Sequence, residues 1–404
     1  MDFFRRWIPR VDTPPNMRLG DYDENVYYSK LTNDDYDEND FYSMSKFAAK
    51  MRYPLSDDWT SAISEINLKG VYLNPRKTKI FADALKVMHF KEKHTLHFLT
   101  LNKTEPDMQE LVDGLQYCKN LSWIDLKDNN IGNYSATLLA KILPNFCTLE
   151  FLNLEKNSIT ESGMIALSCV LQECKMLKTL IIGGNNMTAG GILALAAVLL
   201  QCKALTTFIF KNNDSENHHT ASLLFPALPF CVSLTRLSLN DNKLGAVGIY
   251  ALTNVLPRLS LQVLKLPGNL IGGAEMCILA EALKNCKQLK LLDLNFNHIG
   301  DIGAIALAKI VPNLKHLERL LLAENNIGNE GGIALKCVID LPFIKKMDLN
   351  NNLIYESVRR ELKRRANGRG GLANFQQELD LSFDGNPPIS FDDDIIRSTA
   401  SMAA

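Results

Sequence analysis

One phrase, Leu-x-x-Leu-x-Leu-x-x-Asn-x-Ile, returns along this chain at an almost fixed interval, and that period limits the fold more than any other feature. It reads LSWIDLKDNNI from Leu121, LEFLNLEKNSI from Leu149, LTRLSLNDNKL from Leu234, LKLLDLNFNHI from Leu289 and LERLLLAENNI from Leu317. Its Asn recurs at Asn129, Asn157, Asn185, Asn213, Asn242, Asn269, Asn297, Asn325 and Asn352, spaced by 28, 28, 28, 29, 27, 28, 28 and 27 residues. Weaker copies at Ile63-Ile66-Leu68, Leu96-Leu99-Leu101 and Leu381-Phe383-Asn386 bring the array to about twelve turns.

Within each repeat the alternating Leu-x-Leu suits a short strand, and the following Asn can bond backbone groups where the chain turns. A helical phrase comes next. In Gly300–Ile310, for example, Ile302, Ile305, Ala306 and Lys309 fall at helical spacing, and the small Ala residues permit close helix neighbours. Strand, turn and helix repeated without interruption must coil.

From about Leu121 to Ile354 this pattern resembles the ribonuclease-inhibitor type of leucine-rich repeat. The resemblance implies an α/β solenoid, a horseshoe with a parallel sheet on the concave side and helices on the convex side. The expected organisation is a non-repeat arm and cap over 1–58, the solenoid over 59–355, and a basic helix, last degenerate repeat and acidic tail over 356–404. The fold itself names no function.

Six of the nine cysteines, Cys118, Cys147, Cys174, Cys202, Cys231 and Cys286, precede the first Leu of a repeat by two or three residues. That phase predicts reduced core thiols, packed between helix end and strand, and a reducing compartment. No Cys-x-x-Cys, His-Glu-x-x-His, Gly-x-Ser-x-Gly or phosphate-loop motif occurs. Two acidic phrases, from Asp21 and Asp35, begin like calcium loops but lack the Gly and the closing Glu. No catalytic residue, metal or cofactor is therefore expected, and no small-molecule substrate.

The 44 basic and 45 acidic residues leave a net charge of −1, so a nucleic acid partner is not expected. The longest apolar run, Ile192 to Leu200, is far short of the roughly 20 residues of a spanning helix, and the N-terminus lacks a secretory apolar stretch. A cytoplasmic placement follows as an expectation. The 1–58 arm is acidic, with a net charge of −7 between Asp21 and Asp40, and aromatic, with Tyr22, Tyr27, Tyr28, Tyr36 and Tyr42. Phe47 to Leu55 and Trp59 are its candidate cap. After Tyr355 a helix with Val358, Leu362 and Ala366 on one face carries Arg359, Arg360, Lys363, Arg364 and Arg365, a basic surface for an acidic partner.

If the Leu positions point inward, the residues between them line the concave face. That assigns protein binding to Trp123, Asp125, Phe151, Ile181, Ile209, Arg236, Lys265, Leu291, Asp293, Phe296, Arg319 and Leu321, with the aromatic and aliphatic members as exposed contact anchors. The repeat from Leu205 departs from the rest. It carries Pro226 and Pro229 in its helical half, where a proline removes a hydrogen bond, and the irregular loop Asp214–His219 before it.

These readings lead to a non-enzymatic scaffold that holds protein partners in a multi-subunit assembly. Similarity to the leucine-rich subunits of ciliary axonemal complexes implies a cytoskeletal or ciliary setting. Two rivals stand beside it. One is a GTPase activator of the Ran type with Arg76 as its arginine finger; the other is an inhibitor or sensor binding a protein on the concave face.

Overall fold

The computed structural model describes residues 64–90, 96–213, 220–368 and 380–382, all within one compact unit, Leu55–Ala404. The acidic arm and its cap, the Asp214–His219 loop, the 369–379 segment and the acidic tail lie outside the described residues.

The repeat becomes one parallel sheet of twelve three-residue strands in strict chain order. They are β1 (Glu65–Asn67), β2 (Phe98–Thr100), β3 (Trp123–Asp125), β4 (Phe151–Asn153), β5 (Thr179–Ile181) and β6 (Thr207–Ile209). The second half continues with β7 (Arg236–Ser238), β8 (Val263–Lys265), β9 (Leu291–Asp293), β10 (Arg319–Leu321), β11 (Lys346–Asp348) and β12 (Asp380–Ser382). The degenerate copies at both ends thus form strands, at β1, β2 and β12. The helices on the other side are α1 (Pro75–Phe90), α2 (Met108–Leu115), α3 (Gly132–Ile142), α4 (Glu161–Leu171), α5 (Ala189–Leu199) and α6 (Gly245–Val255). After them come α7 (Gly273–Leu283), α8 (Gly300–Ile310), α9 (Asn329–Ala334), α10 (Lys336–Ile339) and α11 (Glu356–Gly368). This is a leucine-rich repeat solenoid.

The core lies between sheet and helices. The middle residue of each strand from β1 to β11, from Ile66 and Leu99 through Leu152 and Leu264 to Met347, is fully buried and points into it. Each helix contributes one inner face. In α8 that face is Ala304, Leu307, Ala308 and Ile310, whereas Ile302 is 66% exposed. The stripe picked out by spacing in this segment belongs largely to the outer side, because so many Ala and Ile residues make both faces apolar.

Register is locked by a ladder of buried asparagines. Asn185 donates through Nδ2 to the carbonyls of Leu154, Ile182 and Gly183 at 2.9, 3.1 and 3.0 Å, and its Oδ1 accepts from the N–H groups of Asn157 and Ile159 at 2.9 and 3.1 Å. Asn297 repeats the pattern on Leu266, Leu294 and Asn295 while accepting from Asn269 and Ile271. One amide therefore satisfies five backbone groups across two turns that no strand or helix could reach. The turns are tight enough that residues flanking the ladder take positive φ, among them Asp128 (60°), Asn130 (50°) and Phe296 (55°).

The Leu205 repeat builds its convex half as a 3-10 segment, Thr220–Phe230, in place of an α-helix. Pro226 and Pro229 lack the N–H that an α-helix would need there. The segment still buries Leu224, Phe225, Ala227 and Leu228, so the core stays continuous.

Candidate protein-binding face

In-register pairing turns the two outward strand positions into rows. One row runs Phe98, Trp123, Phe151, Thr179, Thr207, Arg236, Val263, Leu291, Arg319 and Lys346; the other runs Thr100, Asp125, Asn153, Ile181, Ile209, Ser238, Lys265, Asp293, Leu321 and Asp348. Eleven of the twelve residues assigned to this face from sequence occupy the rows. Phe296 does not. It sits at a positive-φ turn position before Asn297, 50% exposed and off the sheet.

The aromatic and aliphatic members are not exposed anchors, which corrects the expectation. Trp123, Phe151, Ile181 and Ile209 form one buried cluster at 7, 2, 1 and 1% exposure, with Phe98 packed against it, and Leu291 and Leu321 are buried as well. Strands about 4.8 Å apart in register bring equivalent side chains into contact. The rings of Trp123 and Phe151 lie parallel with centroids 3.4 Å apart, and Phe98 meets Trp123 at 6.4 Å. Arg319 is exposed and Arg236 half-buried, while Asp125, Lys265 and Asp293 are buried.

The next outward position, two residues beyond each strand, was missed from sequence although the same alternation marks it. It holds Asn102, Lys127, Glu155 and Lys211. Glu155 is buried and clamped between Lys127 at 3.2 Å and Lys211 at 3.4 Å. Asp125 accepts from Asn102 Nδ2 at 3.0 Å and from the Lys127 N–H at 3.2 Å. Burial nevertheless raises its carboxyl above the ordinary carboxylate range, the two hydrogen bonds opposing that shift. Burial likewise raises Asp241, against the pull of Lys211.

Two amide atoms beside this cluster have no partner: Asn102 Oδ1 and Asn153 Nδ2. Both amides are oriented by their other end. Asn153 Oδ1 accepts from the Glu155 N–H at 3.0 Å, and Asn102 Nδ2 is bound to Asp125. A buried polar atom left unpaired costs on the order of 1–3 kcal/mol.

The basic helix α11 spends much of its charge on the solenoid. Leu362 and Ala366 are buried. Arg365 grips Asp340 through Nε and Nη2 at 2.6 Å each, Arg359 Nη2 donates to the Asn352 carbonyl at 3.1 Å, and Arg360 pairs with Glu356 at 3.0 Å. Lys336 of α10 holds Glu361 at 2.7 Å. Lys363 and Arg364 are exposed. The helix thus packs against the repeat before it, which its composition suggested less directly than a binding role.

All nine cysteines are free thiols. Cys174, Cys202, Cys231 and Cys286 are buried and Cys118 partly so, as their phase predicts, but Cys147 is exposed. Burial pushes the Cys118 and Cys231 thiols up to about 12, and the Cys174, Cys202 and Cys286 thiols up to about 11. Among the described residues no helix is long and apolar enough to cross a membrane.

The leucine-rich repeat family profile matches residues 147–168, 173–196, 230–252, 285–308 and 313–336. No curated protein is similar in sequence. Among solved structures, the chain is similar to an internalin (inlF) from Listeria monocytogenes str. 4b F2365, with a TM-score of 0.44 at 16% identity over 85% of this chain and 94% of that one.

Proposed function

We propose that this leucine-rich repeat chain is a non-enzymatic interaction scaffold whose concave sheet face holds a protein partner within a larger assembly. The observation that carries the reading is the pair of in-register rows. Their β2–β6 half sets the buried apolar cluster beside Thr100, Asp125, Asn153, Thr179 and Thr207, and their β7–β11 half interleaves Arg236, Lys265, Arg319 and Lys346 with Asp293 and Asp348. With the apolar members buried, a partner meets the charged end of this face, where Arg236, Arg319 and Lys346 set register. The repeats are read as the ribonuclease-inhibitor type on their period and Asn-x-Ile-Gly phrase. A cytoplasmic setting is supported by nine free thiols. The cytoskeletal or ciliary placement rests on the resemblance to axonemal leucine-rich subunits alone.

Affinity purification from native cells with lysine crosslinking tests the proposal. Stable protein partners crosslinked at Lys127 or Lys346, the half-buried lysines of this face, are the expected result. Recovery of the chain alone overturns it. So does recovery only with a small GTPase whose hydrolysis rate depends on Arg76, an exposed side chain in the first turn of α1.

A further inference from the structure

We propose that the convex side carries a second protein-binding surface, an open apolar row over α4–α7 that takes an amphipathic helix of a partner, the acidic flank of that helix turned toward a basic rim. This surface is separate from the concave face, and neither reading depends on the other.

Charge disappears from the middle of the convex side. Helix α5, the 3-10 segment Thr220–Phe230 and α6 contain no Asp, Glu, Lys or Arg, whereas α1, α8 and α11 all carry them. The core does not use all the apolar side chains found there. Ile165, Leu193, Leu223, Val247, Tyr250 and Ile278 are open to solvent, from 36% at Leu223 to 62% at Tyr250. In-register strands bring equivalent helix positions side by side: Ile165, Leu193 and Tyr250 each follow their ladder asparagine, Asn157, Asn185 and Asn242, by eight residues. Leu200 and Phe230, exposed as well, extend the row at the C-terminal ends of their elements. At roughly 100 Å² of open surface for each side chain the row presents on the order of 800 Å², more than the largest apolar patch of an ordinary monomer and about one partner's share of a stable interface.

Spacing and charge identify the occupant. Packed helices lie about 8–10 Å apart, and one heptad of α-helix rises about 10.5 Å. A helix laid across the row therefore offers an apolar residue to each solenoid helix in turn when its own apolar positions recur every heptad. The loops that follow α4–α7 and the 3-10 segment form a basic rim along the row, where Lys175, Lys203, Arg258 and Lys287 are exposed against one acid, Glu173. Compensation of helix dipoles accounts for cations at helix C-termini. It does not account for a row of open leucine, isoleucine and tyrosine beside them. The two features together fit a helix with an apolar stripe and glutamate or aspartate along the side that meets the rim.

The probe is a fluorescein-labelled peptide of about four heptads, with leucine at a and d and glutamate at e and g, whose like charges keep it from pairing with itself. Anisotropy titration with the full chain is expected to show binding that is lost when lysine replaces the glutamates, and lost again when the same leucines are moved to irregular spacing. Leu193→Glu and Tyr250→Glu should each weaken binding about tenfold. Tyr72→Glu, at an exposed position ahead of α1, should leave it unchanged. All three replace open side chains, so their thermal melts should stay close to that of the parent chain. No binding, equal binding by either control peptide, or unchanged affinity in both Leu193→Glu and Tyr250→Glu overturns the proposal. So does a concentration-dependent dimer in sedimentation velocity that Leu193→Glu dissolves, which would give the row to a second copy of the chain.

Discussion

A single amide per repeat decides most of the backbone's fate at the residue scale. Asn185→Ala strands three carbonyls and two N–H groups in a fully buried turn, so a loss of about 2–4 kcal/mol is expected by urea unfolding. Phe151→Ala removes one face of the stacked pair and should cost about 3–5 kcal/mol, measured the same way. Thiol chemistry gives a separate check. At pH 8 iodoacetamide should modify Cys147, Cys169 and Cys337, which are exposed, while Cys174, Cys202, Cys231 and Cys286 react only on unfolding; peptide mass spectrometry reads the order. The same shifts carry a sign for alkaline stability. Thiols raised from 9.0 to about 11 or 12 keep a proton in the folded state that the unfolded chain releases. Their contribution is complete below pH 9 and declines as pH climbs from there towards 12.

Helix contacts at the scale of elements are close enough for one atom to matter. Gly114 of α2 packs on α1, and a Cβ there would lie 2.6 Å from the Ala82 Cα. On an open helix surface Gly→Ala stabilises by up to about 1 kcal/mol. Here the neighbour is backbone and cannot yield, so Gly114→Ala should destabilise by about 1–3 kcal/mol in a thermal melt. Helix α11 shows how an element's role depends on what it packs against. Its arginines read as a basic surface in sequence, yet Asp340 and the Asn352 carbonyl, on elements that precede it, claim two of them.

Stability of the whole molecule is a sum of nearest-neighbour interfaces, since every strand pairs only with those before and after it. Loss of packing at α11 should therefore loosen the array locally. Leu362→Ala, at a fully buried position of α11, should raise amide exchange first around β11 and β10 and leave β4 and β5 protected. Uniform loss of protection along the sheet would contradict that picture.

The sequence alone determined the repeat count, the parallel order, the inward Leu residues and the turn-closing asparagines. All of these are local patterns repeated at a constant interval, and a constant interval forces equivalent residues into adjacent positions. Eleven of the twelve residues it assigned to the face stand in the two outward rows. Only the tertiary structure decided what those residues meet. Register brought Trp123 and Phe151, 28 residues apart, into a buried stack, put Glu155 between lysines from the repeat before and from two repeats on, and left Asn102 and Asn153 with one unpaired atom each. Phe296 went the other way, out of the sheet, because its backbone serves the turn. Burial and pairing on a solenoid face depend on side chains from neighbouring coils, and no single repeat contains that information.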